Sequence, residues 1–172
     1  LRLPFDSPEA LELSTSISEE VYLSALERSA ELAAEHGAHP AYDQTRAARG
    51  DLQPDLWEVT PTQTERWEAV RKAIAANGLR NSLLIAIAPT ATIASITGAY
   101  ECIEPQVSNL FKRETLSGEF LQVNTALVRE LKSRGLWTLE VREAIKRSEG
   151  SVQGILDLPA DVRLLFRTAW EL

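Results

Sequence analysis

The chain has 172 residues, of which 44% are hydrophobic and 25% are charged, as in a soluble globular protein with a sizeable core. Its formal net charge of -7 and its scattered Lys and Arg residues argue against a nucleic-acid-binding surface and against an anionic membrane as partner. No apolar run approaches the roughly 18 residues of a membrane span, and no signal peptide is visible at Leu1.

The chain begins with the pattern of a long amphipathic helix. Ser7 and Pro8 form a helix start, with a capping hydroxyl followed by proline at the first helical position. Apolar residues then recur at three- or four-residue spacing until Gly37, which predicts one helix, with a break near 14–18 as the alternative. Residues 38–61 turn polar and are predicted to run as an extended excursion over the surface.

A second helix is predicted before Gly78. Thr62 and Glu65 have the spacing of a capping box, in which each side chain bonds a free amide at the helix start. Three apolar residues then share one helical face: Trp67, Val70 and Ile74. The region 1–78 is therefore predicted to be helical.

The most informative stretch is an unbroken apolar run that ends at Pro89. Residues 83–88 carry no polar side chain, which predicts a strand buried on both faces, although short apolar runs also occur in helices. Thr90 and Thr92 can then cap a short helix that Gly98 ends.

A strand that leads into a helix start makes an anion site, because the first amides of a helix have no internal partner. The hydroxyls of Thr90 and Thr92 add donors, and the small side chain of Ala91 allows a ligand to approach closely. The alternative is an ordinary strand–turn–helix with a Thr cap. Residues 79–98 are thus predicted to form the strand and a phosphate turn.

The last part of the chain, 99–172, is predicted to be loop and helix. In chain order we expect a loop over 100–105, an extended segment over 107–115, a turn at Ser117–Gly118, helices over 124–134 and 138–147, and a final helix from Pro159. The lone strand at 83–88 cannot satisfy its own hydrogen-bonding groups, so we expect it to pair with another part of a parent protein. The predicted class is α/β and predominantly helical.

No complete catalytic set is found among the reactive side chains. Cys102 lies beside Glu101, and acidic neighbours disfavour a thiolate, so a packed structural cysteine is favoured. Glu101 and Glu104 could form an acid/base pair, but a Glu before proline more often fixes a turn or pairs with a nearby Arg. His36 and His39 match no metal spacing, and His36 suits a helix C-terminus. No catalytic residue and no metal ligand is predicted.

Several ordered motifs together resemble the large, catalytic subunit of class I ribonucleotide reductase. The motifs are Leu79-Arg-Asn-Ser-Leu-Leu-Ile-Ala86, Pro89-Thr-Ala-Thr92, Ile103-Glu-Pro105, Ser108-Asn109, Leu116-Ser-Gly-Glu-Phe120, Val123-Asn124 and Arg134-Gly-Leu-Trp137. The resemblance runs through essentially all of residues 1–172. It implies a single segment from the second half of that subunit's ten-stranded α/β barrel.

In that family the Pro-Thr-Ala-Ser/Thr turn binds the diphosphate of the ribonucleotide substrate. The resemblance therefore implies that Pro89, Thr90, Ala91 and Thr92 bind substrate, and that Ile93 does so through its main-chain amide only. Many members of the family have a hydroxyl residue at the position of Ile93. The implied activity is the reduction of ribonucleoside diphosphates to deoxyribonucleoside diphosphates for DNA synthesis, by a radical mechanism.

The same resemblance implies cofactors and partners that this segment does not itself hold. The parent enzyme is expected to take a radical from a metal-containing small subunit, to bind ATP or dNTP effectors as an allosteric enzyme, and to be re-reduced by thioredoxin or glutaredoxin. The remainder of the large subunit is a further expected partner, and the parent is expected to be a homodimer. The single cysteine fits a reducing compartment, so a cytoplasmic location is expected.

Both ends of the sequence suggest a segment of a longer protein, since the chain contains no methionine and stops within a helical pattern. The isolated segment is expected to be inactive. The alternatives are a non-catalytic helical interaction module, one chain of a split reductase, or a free phosphate-ligand binding protein.

Overall fold

Regular structure in the described residues consists of helices and one antiparallel hairpin. The computed structural model describes residues 1–115 and 118–172. The elements are α1 (Pro8–His36), α2 (Gln53–Leu56), α3 (Thr64–Asn77), α4 (Ala91–Thr97), β1 (Leu110–Thr115), β2 (Gly118–Val123), α5 (Thr125–Ser133), α6 (Leu139–Arg147) and α7 (Ala160–Leu165). The predicted predominance of helix is confirmed.

The chain divides into two compact units. Residues 12–87 form one, called here the helical unit, and residues 1–11 with 88–172 form the other, called the hairpin unit. The prediction that residues 1–172 are a single segment of a larger domain stays a prediction.

Helix α1 confirms the predicted start and length of the first helix. The Ser7 hydroxyl accepts a hydrogen bond from the Ala10 amide at 3.2 Å, and the helix runs for 29 residues without a break at 14–18. His36 lies in its last turn, as predicted. Within the described ranges, no helix combines the length and the apolar character that crossing a bilayer requires.

The core of the helical unit forms where α1 packs against α3. The buried residues of this core are Leu23, Leu26, Ala30, Leu52, Trp67, Val70, Ile74 and Leu79. The predicted apolar face of α3 is therefore confirmed. The predicted extended course of 38–61 is wrong in part, because two 3-10 turns and α2 fold there and bring Leu52 into the core at 4% exposure.

The start of α3 is held by a residue from α1, so the predicted capping box is wrong. Glu19 accepts hydrogen bonds from the amides of Thr62 and Gln63 at 2.8 and 3.1 Å, and from the Trp67 indole at 2.8 Å. Burial alone would raise the pKa of Glu19, but these bonds and one from the Thr62 hydroxyl lower it. A carboxylate that is distant in sequence thus supplies the cap that the local sequence predicted from Thr62 and Glu65.

Strands β1 and β2 of the hairpin unit pair antiparallel, from Leu110 opposite Val123 to Thr115 opposite Gly118. The predicted extended segment is confirmed for β1, whereas β2 was not predicted. Of the predicted turn, Ser117 lies outside the described residues.

Helices α5, α6 and α7 confirm the predicted helical end of the chain. Their apolar faces enclose a second core, with buried residues Leu127, Leu131, Val141, Ile145, Val152, Ile155, Leu158, Val162 and Phe166. Ion pairs join residues 1–11 to the rest of this unit: Arg2 contacts Glu130 at 2.7 Å, and Arg167 contacts Asp6 at 2.7 Å.

A fully buried asparagine connects three segments of the hairpin unit. The Asn109 side-chain amide donates to the carbonyls of Gly150 at 3.0 Å and Phe166 at 2.9 Å, and its oxygen accepts from Asn124 Nδ2 at 2.8 Å. Gly150 approaches so closely that an added Cβ would lie 2.6 Å from the amide nitrogen of Leu110. This group of contacts, called here the Asn109 node, therefore requires an amide side chain at 109 and a glycine at 150.

The predicted buried strand at 83–88 is wrong for this chain. The segment has no strand assignment, and Leu83, Ile85 and Ile87 are 88%, 46% and 65% exposed. A strand needs a neighbour to take up its backbone N–H and C=O groups, and the sheet formed by the described residues contains β1 and β2 alone. The apolar pattern is typical of a buried strand, but the described residues offer no neighbouring strand that would bury it.

Acid is expected to weaken the fold through Glu20. Arg66 donates two hydrogen bonds to this carboxylate, with help from Gln63 and Ser24, and lowers its pKa from 4.5 to about 2. Glu20 therefore stabilises the fold fully above the unfolded pKa of 4.5, and that contribution is lost as the pH falls towards about 2. Thermal unfolding should show a Tm gap between wild type and Glu20→Gln that is largest near neutral pH and shrinks near pH ~2.5.

Glu12→Gln is the matched control, since Glu12 is an exposed carboxylate on the same helix and its side chain has no hydrogen bond or ion pair in the described part of the chain. A Tm gap for Glu20→Gln that stays constant over the same pH range would contradict this account.

Replacing the buried amide should destabilise the hairpin unit. Asn109→Leu leaves the Asn124 amide donor and two buried carbonyls without partners, at a cost of about 1–3 kcal/mol for each group that stays unpaired. Chemical denaturation should therefore show a loss of roughly 3 kcal/mol in the free energy of unfolding. Asn77→Leu, at an exposed position, is the control and should change stability little. Equal effects of the two variants would refute the role given to Asn109.

Candidate functional site

The predicted phosphate turn leads into α4 in the hairpin unit and includes the first residues of that helix. Thr90 is the residue before the helix and has left-handed backbone angles of φ 54° and ψ 17°. Its carbonyl accepts the Ala94 amide at 2.7 Å, and Gly98 ends the helix at φ 69°. The predicted short helix is confirmed, but neither threonine caps it through its side chain.

The first amides of α4 are open. The amides of Ala91, Thr92 and Ile93 have no hydrogen-bond partner among residues 1–115 and 118–172, and all three residues are exposed. Three adjacent donors at a helix start attract an anion, because the helix dipole adds a partial positive charge there. The side chain of Ile93 is 67% exposed and offers no polar group, so only its amide can serve this site.

The Thr90 hydroxyl is oriented by the loop that follows α4. The amide of Cys102 donates to Thr90 Oγ1 at 2.9 Å, and Cys102 itself has a positive φ of 53°. Because the oxygen accepts this bond, the hydroxyl proton remains available as a donor. Cys102 thus contributes its main chain to the turn, which agrees with a structural role for this residue.

Arg113 on β1 connects the helix to the loop. Its guanidinium donates to the Ser95 hydroxyl on α4 and pairs with the Glu101 carboxylate in the loop. Glu101 therefore has a cationic partner. This ion pair engages the carboxylate and does not favour an acid/base pair of Glu101 and Glu104. The sequence pattern indicated an arginine partner only for Glu104 and gave no sign of Arg113, since nothing in the local pattern connects a strand residue to this loop.

Tyr100 provides a further attachment of the same loop. Its hydroxyl donates to Asn124 Oδ1 at 2.9 Å, and burial raises the pKa of this phenol despite that bond. Asn124 also caps α5 by accepting the amides of Ala126 and Leu127, at 3.0 and 3.3 Å. The loop is thus connected to the buried Asn109 node, an arrangement that the sequence alone did not indicate.

Neither histidine forms part of a metal site in the described structure. The ring of His39 lies edge-on to Tyr42, with 5.9 Å between centroids. Across 1–115 and 118–172, no three His, Cys, Asp or Glu side chains lie close enough together to hold a metal ion.

Open helix-start amides beside hydroxyl groups are the kind of feature with which proteins bind phosphate groups. A family model described as "Ribonucleotide reductase, barrel domain" matches residues 1–172. The chain belongs to this ribonucleotide reductase family.

Curated relatives support the same assignment. The chain is 46% identical over 172 residues to the ribonucleoside-diphosphate reductase large subunit of Danio rerio, and 42% identical to that of Arabidopsis thaliana. Each match covers 100% of this chain but only 22% and 21% of the relative. The chain thus spans about a fifth of the length of the curated relatives that it matches.

A solved structure has a related fold. The alpha subunit of the Actinobacillus ureae class Id ribonucleotide reductase matches with a TM-score of 0.62 and 25% sequence identity, over 97% of this chain and 24% of that one. The fold is therefore that of a reductase barrel-domain fragment, with a small two-stranded sheet and no closed barrel in the described residues.

Proposed function

We propose that the chain is a segment of a ribonucleoside-diphosphate reductase large subunit, and that the turn over 89–93 binds the diphosphate of the substrate. The observation that carries the proposal is the set of three unpartnered, exposed amides at Ala91, Thr92 and Ile93. Relatives named for acting on ribonucleoside diphosphates match the chain along its whole length. A substrate of that kind presents the anion that such a turn suits.

The chemistry of the turn suits a diphosphate. Main-chain amides donate to phosphate oxygens, and hydrogen bonds to a charged partner contribute about 1.5–3 kcal/mol each. The Thr90 and Thr92 hydroxyls add two donors, and Pro89 leads the chain into the turn without a competing amide. Several such bonds account for specific binding of an otherwise strongly hydrated group.

Substrate binding at this turn contributes to catalysis by positioning. Binding of the diphosphate fixes where the ribose of the nucleotide lies. The entropy of positioning the ribose is then lost on binding and no longer adds to the activation barrier. No residue of this segment is proposed as catalytic, so the reacting groups belong to other segments of the subunit. The isolated chain is accordingly proposed to be inactive.

The exposed apolar segment 83–88 is proposed to become a strand of the ten-stranded α/β barrel in the complete subunit. Its side chains are too apolar to remain in water at no cost, since each buried Å² of apolar surface gains about 25 cal/mol. The rest of the large subunit is therefore the proposed partner of this segment. Pairing there would place the turn, which follows directly, at the end of a barrel strand.

The remaining partners follow from membership of the family and are proposed on that ground. They are a radical-generating small subunit with a metal centre, ATP or dNTP effectors, and thioredoxin or glutaredoxin as reductant, with the large subunit as a homodimer in the cytoplasm. None of these partners is proposed to bind this segment.

Removing one amide from the turn should weaken substrate binding. Thr92→Pro deletes a donor that has no internal partner, and proline is tolerated in the first helical turn. In the complete large subunit, KM for a nucleoside diphosphate should rise by about 10-fold to 100-fold, as expected for the loss of one charge-assisted hydrogen bond.

Two companion variants separate the sources of that effect. Thr92→Val keeps the amide and loses the hydroxyl, so its effect should be smaller than that of Thr92→Pro. Thr97→Val, at the other end of α4, removes a hydroxyl that bonds the carbonyls of Ile93 and Ala94, and should leave KM unchanged. An unaltered KM in Thr92→Pro would count against the site.

Reconstitution tests the proposed partner of 83–88. Mixing this chain with the remaining parts of the large subunit should restore reductase activity, and Ile85→Asp should reduce that activity by an order of magnitude or more, because it buries a charge in the barrel. Leu156→Asp, at a side chain that is 81% exposed, is the control and should be tolerated. Full activity in Ile85→Asp would show that the segment stays exposed in the assembled enzyme.

A further inference from the structure

Arg113 occupies an unusual position beside the proposed diphosphate turn. It projects from β1, is 27% exposed, and bridges two elements by donating to Ser95 on α4 and to Glu101 in the following loop. Neither of those partners belongs to the turn itself. Each of them, however, is closely connected to a donor of the turn. Ser95 bonds the peptide group that contains the Thr92 amide, and Glu101 precedes Cys102, whose amide bonds the Thr90 hydroxyl.

The first connection runs through Ser95. Its hydroxyl accepts from Arg113 and donates to the carbonyl of Ala91 at 3.0 Å. That carbonyl belongs to the same rigid peptide plane as the Thr92 amide. A hydrogen-bond relay that fixes the carbonyl therefore also fixes the direction in which the Thr92 N–H points. Because successive bonds polarise one another, the charge of Arg113 strengthens the relay.

The second connection runs through Glu101. Its carboxylate is paired with Arg113, and the next residue, Cys102, donates its amide to Thr90 Oγ1 at 2.9 Å. Holding Glu101 thus holds the amide that orients the Thr90 hydroxyl. Thr90 and Cys102 both have positive φ angles, which side-chain-bearing residues adopt only where the surrounding contacts maintain them.

We propose that Arg113 is a positioning residue of the reductase, which sets the Thr92 amide through Ser95 and the Thr90 hydroxyl through Glu101. The inference rests on the proposed function of the turn. In this arrangement Arg113 acts on the turn through Ser95 and Glu101, and Glu101 balances its charge. Its forked guanidinium is needed because two partners on different elements must be reached at once.

The adjacent residue on the same strand provides a matched control. Lys112 is also a cation on β1, but successive strand residues point to opposite faces, and its ammonium pairs with Glu119 across the hairpin at 2.5 Å. Removing Lys112 therefore removes a cation and an ion pair of the same hairpin without touching α4 or the loop.

The test compares steady-state kinetics of the complete large subunit with its small subunit. Arg113→Ala should raise KM for a nucleoside diphosphate by about tenfold or more, with kcat changed by less than about twofold, because binding geometry is lost and the reacting groups are not. Arg113→Lys should give an intermediate KM, since an ammonium can pair with Glu101 but cannot also reach Ser95. Ser95→Ala breaks one relay and should also be intermediate, whereas Lys112→Ala should match wild type.

The outcomes separate this inference from the proposed function. If Thr92→Pro raises KM while Arg113→Ala does not, Arg113 has no positioning role and the diphosphate site stands. If Arg113→Ala lowers Tm and kcat together at constant KM, its role is structural only and the inference is overturned. If none of the turn variants changes KM, the site itself is wrong and the inference falls with it.

Discussion

The constraint on which the hairpin unit depends is the need of backbone N–H groups for partners. Helix α4 cannot satisfy its own first amides, and at Ala91, Thr92 and Ile93 no other described group does so. Elsewhere the fold meets the same need with a side chain: Glu19, from far along the sequence, at the start of α3, and the adjacent residue Asn124 at the start of α5. The contrast between capped and open helix starts distinguishes a structural helix end from one that can receive a ligand.

Hydrogen bonds connect the polar groups around that open turn into one network. Asn109 links the core of the hairpin unit to Asn124, Asn124 receives the Tyr100 hydroxyl, and the loop that carries Tyr100 also carries Glu101 and Cys102. Buried amides of this kind are costly when unpaired, so a fully paired network specifies one arrangement. The consequence is that the shape of the turn depends on residues that lie outside it.

Family membership and the exposed segment 83–88 fit together. An apolar stretch with three largely exposed branched side chains is unusual in a stable fold, but it is expected of a barrel strand described apart from its neighbours. The chain spans about a fifth of the length of its curated relatives, and the proposed partners of 83–88 are strands in the rest of such a large subunit. The same reasoning explains why the predicted strand was wrong here. An apolar pattern indicates a buried segment, and a segment is buried only where neighbouring strands or helices cover it.

Local sequence determined the long first helix, the α4 start at the Pro-Thr-Ala-Thr turn and the helical end of the chain, because caps, glycines and 3.6-residue periodicity act within a few residues. It also carried the motifs that identify the family. Only the tertiary structure decided that Glu19 caps α3, that β2 pairs with β1, and that Arg113 reaches Ser95 and Glu101. These contacts join residues that are distant along the chain or lie on different elements, and no local pattern encodes a partner that folding alone brings near.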